Sequence, residues 1–584
     1  MGKRKSAALA AKSEKAEEKV MAKGKQHIKS PKRAPVENAE SMAKRQREIS
    51  VSEFFAKNRH LLGFDNPKKA LLTTVKEAID NSLDACEEAG ILPEITVKLD
   101  RLSPKLKEPE VDAAAKDSGE EKVEKKGAKK GPIPTERFHL TIIDNGPGIV
   151  ATQIGKIFGK LLYGSKFHRM KMSRGQQGIG ISAAGMYGQM TTGKPMRIIS
   201  KIPKEAKATF VELKIDTKTN KPEVLTEKET SWPHSSKSGT SVEITLEGRY
   251  QRGRQSVDEF ILQNTLSNPH ATFHFVDPDG QKFDYPRKIN ELPHLPSEIK
   301  PHPYGVELGR FHQMAMETSA KNLKKFMATD FSRVSDKVAD EIFKQAGVKD
   351  MPMSKATHEQ LNKIHEAIPK VSIMSPPTDC VVPIGEDLIV DTLKHQTKAD
   401  FYTATTRSPS VYRGNPFVVE CALAYGGELP GDEQMTVYRF ANRVPLQFQP
   451  TACATNRVLT KMDWKNYGLN QSKNSLPTGP IAILIHVASV WVPFTSESKE
   501  AIADYPEIKQ EIRLAVLECA RQLSLHVSRA RRAAEAERKA NYIDTYIPFI
   551  GEALQEMLKL SDPQREKVVG TLRNTLEKAK LEGN

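Results

Sequence analysis

The chain has 584 residues, of which 38% are hydrophobic and 28% are charged, and its formal net charge is +16. This composition supports packed cores and excludes a chain that is disordered throughout, and the length predicts about three or four domains. No apolar run reaches the ~18 residues of a membrane span, and the N-terminus lacks the apolar core of a secretory signal, so no membrane partner is expected. The five cysteines are scattered without a C-x-x-C pair, which favours a reducing cytoplasm over a disulfide framework or a zinc site.

The N-terminal 48 residues are rich in Lys, Ala, Glu and Ser and contain no aromatic residue. Residues 1–50 hold 14 Lys+Arg and 6 Asp+Glu, so this segment contributes +8 of the net charge of +16. The pattern predicts a disordered basic tail over residues 1–48. A solubilising tail and a basic arm that touches DNA are both compatible with it.

The segment Glu77–Ala85 (EAIDNSLDA) lies within a predicted helix over residues 68–89. At ~100° per residue, Glu77, Asn81 and Asp84 fall within ~60° of one another. The opposite side carries an apolar stripe of Leu71, Val75, Ile79 and Leu83. The polar face is either simply solvated or a general base beside a neutral metal ligand, an arrangement that activates water next to a metal-bound phosphate.

Two strands follow, at residues 95–99 and 138–143, separated by a charged surface insertion over residues 103–134. The second strand runs into Asp144–Ile149 (DNGPGI). Two glycines around a proline predict a tight turn that leaves backbone open to a ligand, and Asp144 can accept a hydrogen bond from an amino group. The alternative is an ordinary turn.

The glycine-rich segment Arg174–Gly180 (RGQQGIG) leads into a helix of small residues. Glycines before a helix N-terminus expose N–H groups to an anion. The segment is neither a Walker A loop nor a dinucleotide fingerprint. Residues 159–166 (GKLLYGSK) mimic a Walker A loop, but their final two residues are in the wrong order.

Taken in order, E-x-x-D-N-S-x-D-A, D-N-G-P-G-I, R-G-Q-Q-G-I-G and Ser238-Gly-Thr240 before a strand resemble the motifs of the GHKL ATPases. The resemblance implies a Bergerat ATP-binding fold, an α/β sandwich with a flexible lid. It implies that Glu77 activates the attacking water, Asn81 binds Mg²⁺ and Asp144 binds the adenine amino group. The remaining ATP-binding positions that it implies are Gly146, Gly148, Gly175, Gln176, Gln177, Gly178, Ile179, Gly180 and Thr240.

The rest of the chain resembles the B subunit of the topoisomerase VI (type IIB) family within this group. Residues 322–348 look like that family's helix–two-turns–helix domain, and residues 413–420, 438–445 and 493–500 are similar to its transducer domain, of ribosomal protein S5-like α/β fold. Lys499 matches the switch lysine, which reaches the γ-phosphate and therefore counts with Glu77 as catalytic. The resemblance covers roughly residues 49–550.

We therefore predict a multidomain α/β chain. Its predicted parts are a basic tail (1–48), a GHKL ATPase domain (49–300), a helix–two-turns–helix domain (301–372), a transducer domain (373–504), and a helical stalk with a partner-docking C-terminus (505–584). The apolar segment 542–560 is interpreted as the docking surface, with packing back onto the stalk as the alternative.

Two segments of the chain bear on DNA. Trp464, Lys465 and Tyr467 look like the family's W-K-x-Y loop, although a partly buried packing role for Trp464 is the alternative. Arg252 and Arg254 lie in a segment that resembles a basic DNA-facing loop but departs from its lysine-led spelling. Both segments would contact phosphates without reading bases.

The function that the resemblance implies is an ATP-operated gate for double-strand DNA passage, which relaxes supercoils and decatenates DNA. Its expected cofactors are ATP and Mg²⁺. Its expected partners are double-stranded DNA, a second copy of the chain, and the topoisomerase VI A subunit, which cleaves the DNA. Two A and two B subunits would form a heterotetramer in the cytoplasm, at the nucleoid. The rival hypotheses are a GHKL chaperone or clamp acting on proteins and a histidine kinase, for which no phosphoacceptor helix or sensor segment is seen.

Overall fold

The computed structural model describes residues 43, 49–104, 135–167, 169–175 and 177–582. The predicted tail up to residue 48, Ala43 apart, most of the predicted insertion 103–134, and Gln176 therefore lie outside the described residues. Residues from Val51 onward group as one compact unit. In these ranges, every helix falls short of the combined length and apolarity that crossing a membrane requires.

The predicted helix over residues 68–89 is confirmed as α2 (Pro67–Glu88), which follows the short helix α1 (Val51–Lys57). Its start is fixed by Asn66, whose side chain accepts a hydrogen bond from Lys68 N at 2.9 Å, and by proline at the first helical position. The predicted apolar stripe is buried, because each of its members is no more than 1% exposed: Leu71, Val75, Ile79 and Leu83.

An eight-stranded sheet, mostly antiparallel, forms the N-terminal half, in the order β5-β4-β3-β6-β2-β1-β7-β8. Its strands are β1 (Glu94–Arg101), β2 (Glu136–Asp144), β3 (Met196–Lys201), β4 (Ala208–Asp216), β5 (Lys221–Thr230), β6 (Gly239–Gly248), β7 (Thr272–Val276) and β8 (Lys282–Tyr285). The helices of this half are α2, α3 (Ala151–Gly159), α4 (Gly180–Thr192) and α5 (Val257–Ser267). Burial alternates along β2, so one face of the sheet carries the core that it shares with the helices. The architecture is an α/β sandwich.

Four helices follow the sheet, with a hydrophobic core of their own that includes Phe311, Phe326, Ile342 and Ile364. They are α6 (Leu308–Glu317), α7 (Leu323–Asp330), α8 (Asp336–Ala346) and α9 (His358–Ala367). Serine and threonine cap two of them: the Ser335 side chain accepts from Val338 N, and Thr357 and Gln360 form a reciprocal capping box. The assignment of residues 301–372 to one domain stays a prediction.

A second sheet forms the C-terminal half, in the order β10-β11-β16-β12-β13 with β9 paired to β11. Its strands are β9 (Phe401–Thr406), β10 (Ser410–Tyr412), β11 (Asn415–Tyr425), β12 (Thr436–Ala441), β13 (Val444–Pro445) and β16 (Ile481–Ser489), and a separate small hairpin is formed by β14 (Asn470–Gln471) and β15 (Pro477–Thr478). The helices here are α10 (Glu386–Gln396) and α11 (Ala454–Lys461). All nine residues of β16 are buried, as expected for a continuous apolar run in the middle of a sheet.

The chain ends in a helical hairpin of α12 (Pro506–Leu558, 53 residues) and α13 (Asp562–Glu582). The two helices approach closely at Gly551, where an added Cβ atom would lie only 2.5 Å from Val569 Cγ2. The alternative that the segment 542–560 packs back onto its own helices is thus confirmed for Ile547, which is 2% exposed. The aromatic side chains of Tyr542, Tyr546 and Phe549 remain exposed.

Candidate functional site

A cavity of about 520 Å³ lies over the polar face of α2. It draws its walls from both halves of the chain, since Glu497 and Lys499 contribute to it alongside residues of the N-terminal sandwich. The predicted ATP-site residues that line it are Glu77, Asn81, Asp144, Gly148, Gly175, Gln177, Gly178, Ile179, Gly180, Thr240 and Lys499. Gly146 does not line the cavity, but its N–H donates to Asp144 Oδ1 at 3.0 Å and so supports a residue that does. Four motifs separated in the sequence, together with Lys499, therefore converge on one cavity.

One end of the cavity is built around the Asp144 carboxylate at the end of β2. Ser82 Oγ donates to Oδ2 at 2.9 Å, and Thr240 N donates to Oδ1 at 3.1 Å. Burial raises the pKa of Asp144, although hydrogen bonds from Gly146 N, Ser82 and Thr240 N act in the opposite direction. Sequence reasoning missed Ser82. Its place in α2, one residue after Asn81, was the available signal.

Glu77 and Asn81 face the cavity one helical turn apart on α2. Helix α4 begins at Gly180 directly beside Glu77, and a Cβ atom at residue 180 would lie 1.7 Å from Glu77 Oε2. Glycine is therefore required at position 180 for this carboxylate to sit against the helix N-terminus. A Cβ atom at Gly175 would lie 3.5 Å from Asn81 Oδ1, so the exposed carboxamide also borders the glycine-rich loop.

The prediction that Asp84 offers a carboxylate on the open polar face is wrong. Asp84 is buried, where it pairs with Lys166 Nζ at 2.6 Å and Arg174 Nη1 at 2.9 Å and accepts from Gly175 N at 3.3 Å. Burial would raise its pKa, but the two cations outweigh burial and lower it. Asp84 thus holds the glycine-rich loop in place instead of facing a ligand.

Asp80, which sequence reasoning passed over, is 1% exposed, and neither of its oxygens has a hydrogen-bond partner among the described residues. Burial raises its pKa to about 7, while Lys76 and Lys499 act to lower it. A buried carboxylate without hydrogen bonds costs stability. Groups with a strongly shifted pKa cluster at functional sites, and structural ion-pair networks produce such shifts too.

Lys499 is 8% exposed and adopts a left-handed backbone with φ +53°. Its ammonium group donates to Arg174 O at 2.9 Å, at the start of the glycine-rich loop. Its neighbours are held by α2: Lys76 Nζ donates to Ser498 O at 2.9 Å, and Lys69 Nζ pairs with Glu500 Oε1 at 2.6 Å. Three consecutive residues from the C-terminal half are therefore fastened to the N-terminal half at the cavity.

The structure separates the predicted DNA-contact residues. Trp464 is fully buried, and its Nε1 donates to Leu459 O at 2.9 Å. The packing alternative is therefore confirmed, and the prediction that this ring contacts DNA is wrong. Lys465 is exposed and Tyr467 is half-buried. In the other segment Arg252 and Arg254 are both exposed, and Arg252 also pairs with Asp277 and Gln281.

Comparison with known proteins places this chain in a family. The family model for the topoisomerase VI B subunit transducer matches residues 376–539, so it starts near the predicted boundary and runs on into α12. The B subunit of type 2 DNA topoisomerase 6 from Methanococcoides burtonii is 45% identical over 547 residues, covering 93% of this chain and 82% of that protein. The same-named protein of Archaeoglobus fulgidus is 42% identical over 533 residues, covering 91% and 83%.

Among solved structures, the 43K ATPase domain of Thermus thermophilus gyrase B is similar over 84% of this chain and 98% of its own, at 11% identity and a TM-score of 0.36. A likeness this distant adds nothing to the assignment, which depends on the archaeal relatives. With more than 40% identity across more than nine-tenths of its length, the chain belongs to the family of type 2 DNA topoisomerase 6 B subunits.

Proposed function

We propose that this chain binds and hydrolyses ATP as one component of a type II DNA topoisomerase. ATP binding joins two copies of the chain around a DNA duplex, and hydrolysis resets them, so that supercoils are relaxed and linked DNA circles are separated. A separate A subunit cleaves the DNA. The observation that carries this proposal is the single cavity in which Glu77, Asn81 and Asp144 from one half of the chain meet Lys499 from the other.

The adenine of ATP would lie against Asp144. The Asp144 carboxylate accepts hydrogen bonds from Ser82 Oγ and Thr240 N, which fix the orientation of the carboxylate. The same carboxylate can accept a further hydrogen bond from the exocyclic amino group of adenine. The cavity, at about 520 Å³, is within the range of ~300–1,000 Å³ usual for small-molecule sites.

The phosphates would lie at the glycine-rich loop and the N-terminus of α4, where free N–H groups and the helix dipole favour an anion. Asn81 offers an exposed carboxamide oxygen at the cavity, which suits a Mg²⁺ ion because Mg²⁺ prefers oxygen ligands and takes its others from substrate phosphates and water. When bound, the metal neutralises charge on the phosphates. Glu77, one turn away, takes the proton of the attacking water.

Lys499 would act as the sensor of the terminal phosphate. In the structure its ammonium group donates to a neutral carbonyl, Arg174 O. A phosphate oxygen is a stronger acceptor for a cation than a carbonyl. ATP would therefore draw Lys499 away from Arg174, and loss of the γ-phosphate would let it return. A ligand with different affinity for the two arrangements shifts their populations, which is how hydrolysis reaches the C-terminal half.

Replacing Asp144 with asparagine tests the adenine contact. The variant keeps one acceptor oxygen but turns its NH₂ group towards groups that donate to the wild-type carboxylate. We expect ATP affinity to fall about 10–100-fold, which is the usual effect of losing a hydrogen bond to a charged group. Calorimetry with a non-hydrolysable ATP analogue measures this. Inosine triphosphate lacks the amino group, so the wild-type chain should prefer ATP to it and the variant should lose that preference. An unchanged preference would place the base elsewhere; Asp432→Asn, on the surface, is the matched control.

We propose that the C-terminal helical hairpin binds one of the expected partners. The exposed aromatic side chains of Tyr542, Tyr546 and Phe549, near the distal end of α12, are the proposed docking surface for the A subunit. Exposed aromatic clusters of this kind are typical of protein interfaces. Two such pairs would give a heterotetramer of two A and two B subunits.

Lys465→Ala tests the proposed DNA contact. Because Lys465 is exposed, its loss should weaken DNA binding for all sequences and reduce the magnitude of the salt slope by about 1. Binding to a fluorescent duplex over a salt series measures both, with exposed Lys473→Ala as the control. Equal effects of the two substitutions would refute a specific role for Lys465.

ATPase activity that is stimulated by DNA, and less so at high salt, would also distinguish this function from a chaperone acting on proteins.

A further inference from the structure

The segment that leads into the glycine-rich loop, residues 172–174, is attached at three consecutive positions to the C-terminal half of the chain. We call these three residues the loop stem. The bonds join Met172 N to Cys380 O at 2.8 Å, Asn442 Nδ2 to Ser173 O at 2.9 Å, and Lys499 Nζ to Arg174 O at 2.9 Å. Lys499 therefore makes one of three hydrogen bonds that, among the described residues, join the loop stem to that half.

Asn442 is the second connection, and the structure around it is built for an asparagine. It lies in the turn between β12 and β13, is 4% exposed, and has φ +48°, a left-handed backbone that asparagine tolerates better than most residues. Its Nδ2 also donates to Ser489 O at 2.9 Å, and its Oδ1 accepts from Ser489 N at 2.8 Å. One carboxamide thus joins the end of β16 to the loop stem, using two donors and one acceptor at once.

The opposite side of the loop stem is fixed to α2. The Arg174 guanidinium binds Asp84 and Glu87, which are both on that helix. If Lys499 leaves Arg174 O for a phosphate, the connection through Asn442 can persist, because it uses a different carbonyl. The loop stem then still links the nucleotide side of the molecule to the centre of the C-terminal sheet.

We propose that Asn442 is a positioning residue that fastens the loop stem to β16, so that closure of the glycine-rich loop on a nucleotide is transmitted to the C-terminal sheet independently of Lys499. The inference deepens the proposed function, since it supposes that the cavity takes a nucleotide. Packed, hydrogen-bonded contacts of this kind can carry energetic coupling between two elements.

Hydrogen exchange of the full chain tests the attachment without any ligand. Asn442→Gly removes the side chain and retains the left-handed backbone, and Asn474→Gly is its matched control, an exposed asparagine at φ +56°. Loss of one hydrogen bond typically changes such an equilibrium about five-fold. We expect exchange in peptides covering the loop stem to rise by about that factor in Asn442→Gly and to be unchanged in Asn474→Gly. Equal exchange in both variants would overturn the proposal.

A second arm adds adenylyl-imidodiphosphate, a non-hydrolysable ATP analogue, and follows the loop peptides and the 484–490 peptide of β16. In the wild-type chain both should respond; in Asn442→Gly the loop should respond and β16 should lose most of its response. A β16 response that survives in the variant, or is absent from the wild type despite binding, overturns the proposal. If the analogue does not bind at all, the proposed function fails, and the ligand-free arm still decides the attachment. Asn442→Asp, which keeps the shape and loses both donors, serves in place of a glycine variant that does not fold.

Discussion

Replacing Glu77 with glutamine is expected to abolish ATP hydrolysis while nucleotide binding survives. Glutamine preserves the size of the side chain and its fit against Gly180, where a Cβ atom would lie 1.7 Å from Oε2, but it cannot accept the proton of the attacking water. A positioned general base typically contributes ~10²–10⁴-fold to a rate, so hydrolysis should fall by at least about 100-fold. A coupled assay of ADP release measures the rate, and calorimetry with a non-hydrolysable analogue measures binding.

The control for this prediction is Glu497, which also contributes a carboxylate to the cavity wall but comes from the C-terminal half. Glu497 is exposed and stands two residues before Lys499. We expect Glu497→Gln to hydrolyse ATP at close to the wild-type rate. If Glu497→Gln lost hydrolysis and Glu77→Gln kept it, the base would have been assigned to the wrong carboxylate.

Replacing Arg174 with methionine is expected to cost more stability than any other single change considered for this chain. The buried guanidinium donates to Asp84 Oδ1 at 2.9 Å, to both oxygens of Glu87 at 2.8 and 2.7 Å, and to Asn268 Oδ1 at 2.5 Å. Removing it leaves the buried carboxylate of Asp84 and the partly buried carboxylate of Glu87 short of a partner. Breaking one side of a buried ion pair costs about 3–5 kcal/mol, which is a large part of the stability of a typical domain. Urea unfolding at neutral pH measures the loss.

Arg169→Met is the matched control for Arg174. It removes an arginine from the same segment, but Arg169 is partly exposed and reaches Glu88 at 3.4 Å. Such surface pairs contribute about 0–1 kcal/mol, so the control should unfold close to the wild type. Similar losses in the two variants would show that the buried network adds little.

The pH dependence gives the Arg174 prediction a second signature. Burial would raise the pKa of Glu87, but its ion pair with Arg174 and the hydrogen bond from His270 outweigh burial and hold that pKa well below its usual range. When folding lowers the pKa of a carboxyl group, the group stabilises the folded state at every pH above its unfolded-state pKa, which is near 4.5 for glutamate. This stabilisation is lost progressively as the pH falls from 4.5 towards the folded-state pKa. The wild-type chain should therefore lose stability below pH 4.5 more steeply than Arg174→Met, and parallel curves would contradict the assignment.

Local patterns in the sequence predicted the parts of the site that depend on neighbouring residues. The helix over α2 follows from its spacing of apolar residues and its Asn66-Pro67 start, and the position of Asp144 follows from a strand that ends in a glycine turn. Both features are decided within about 18 residues of chain, over which helix and strand periodicity is informative.

The parts that sequence reasoning missed depend on residues far apart in the chain. Asp84 was expected on the open polar face of the helix, yet it is buried by Lys166 and Arg174, which lie 82 and 90 positions away. Trp464 has the motif of a DNA-contact loop, but it fills a core completed by distant strands and helices. The spacing of apolar residues within one segment does not indicate which side of a helix will be covered by a loop that follows much later in the chain. It also does not indicate which aromatic ring will be buried by a later strand.

The long helix α12 has a mechanical consequence. Its first turns are built into the C-terminal core through Ile508, Ile512 and Val516, while residues beyond 528 are largely exposed. From residue 528 to Ile547, just before the internal Pro548, the helix extends about 28 Å, at ~1.5 Å per residue. A tilt of roughly 10° at the embedded end would move Ile547 by about 5 Å over that length. The helix is thus a lever arm: a small tilt at its embedded end becomes a displacement of several ångströms beside the exposed aromatic side chains of Tyr542, Tyr546 and Phe549.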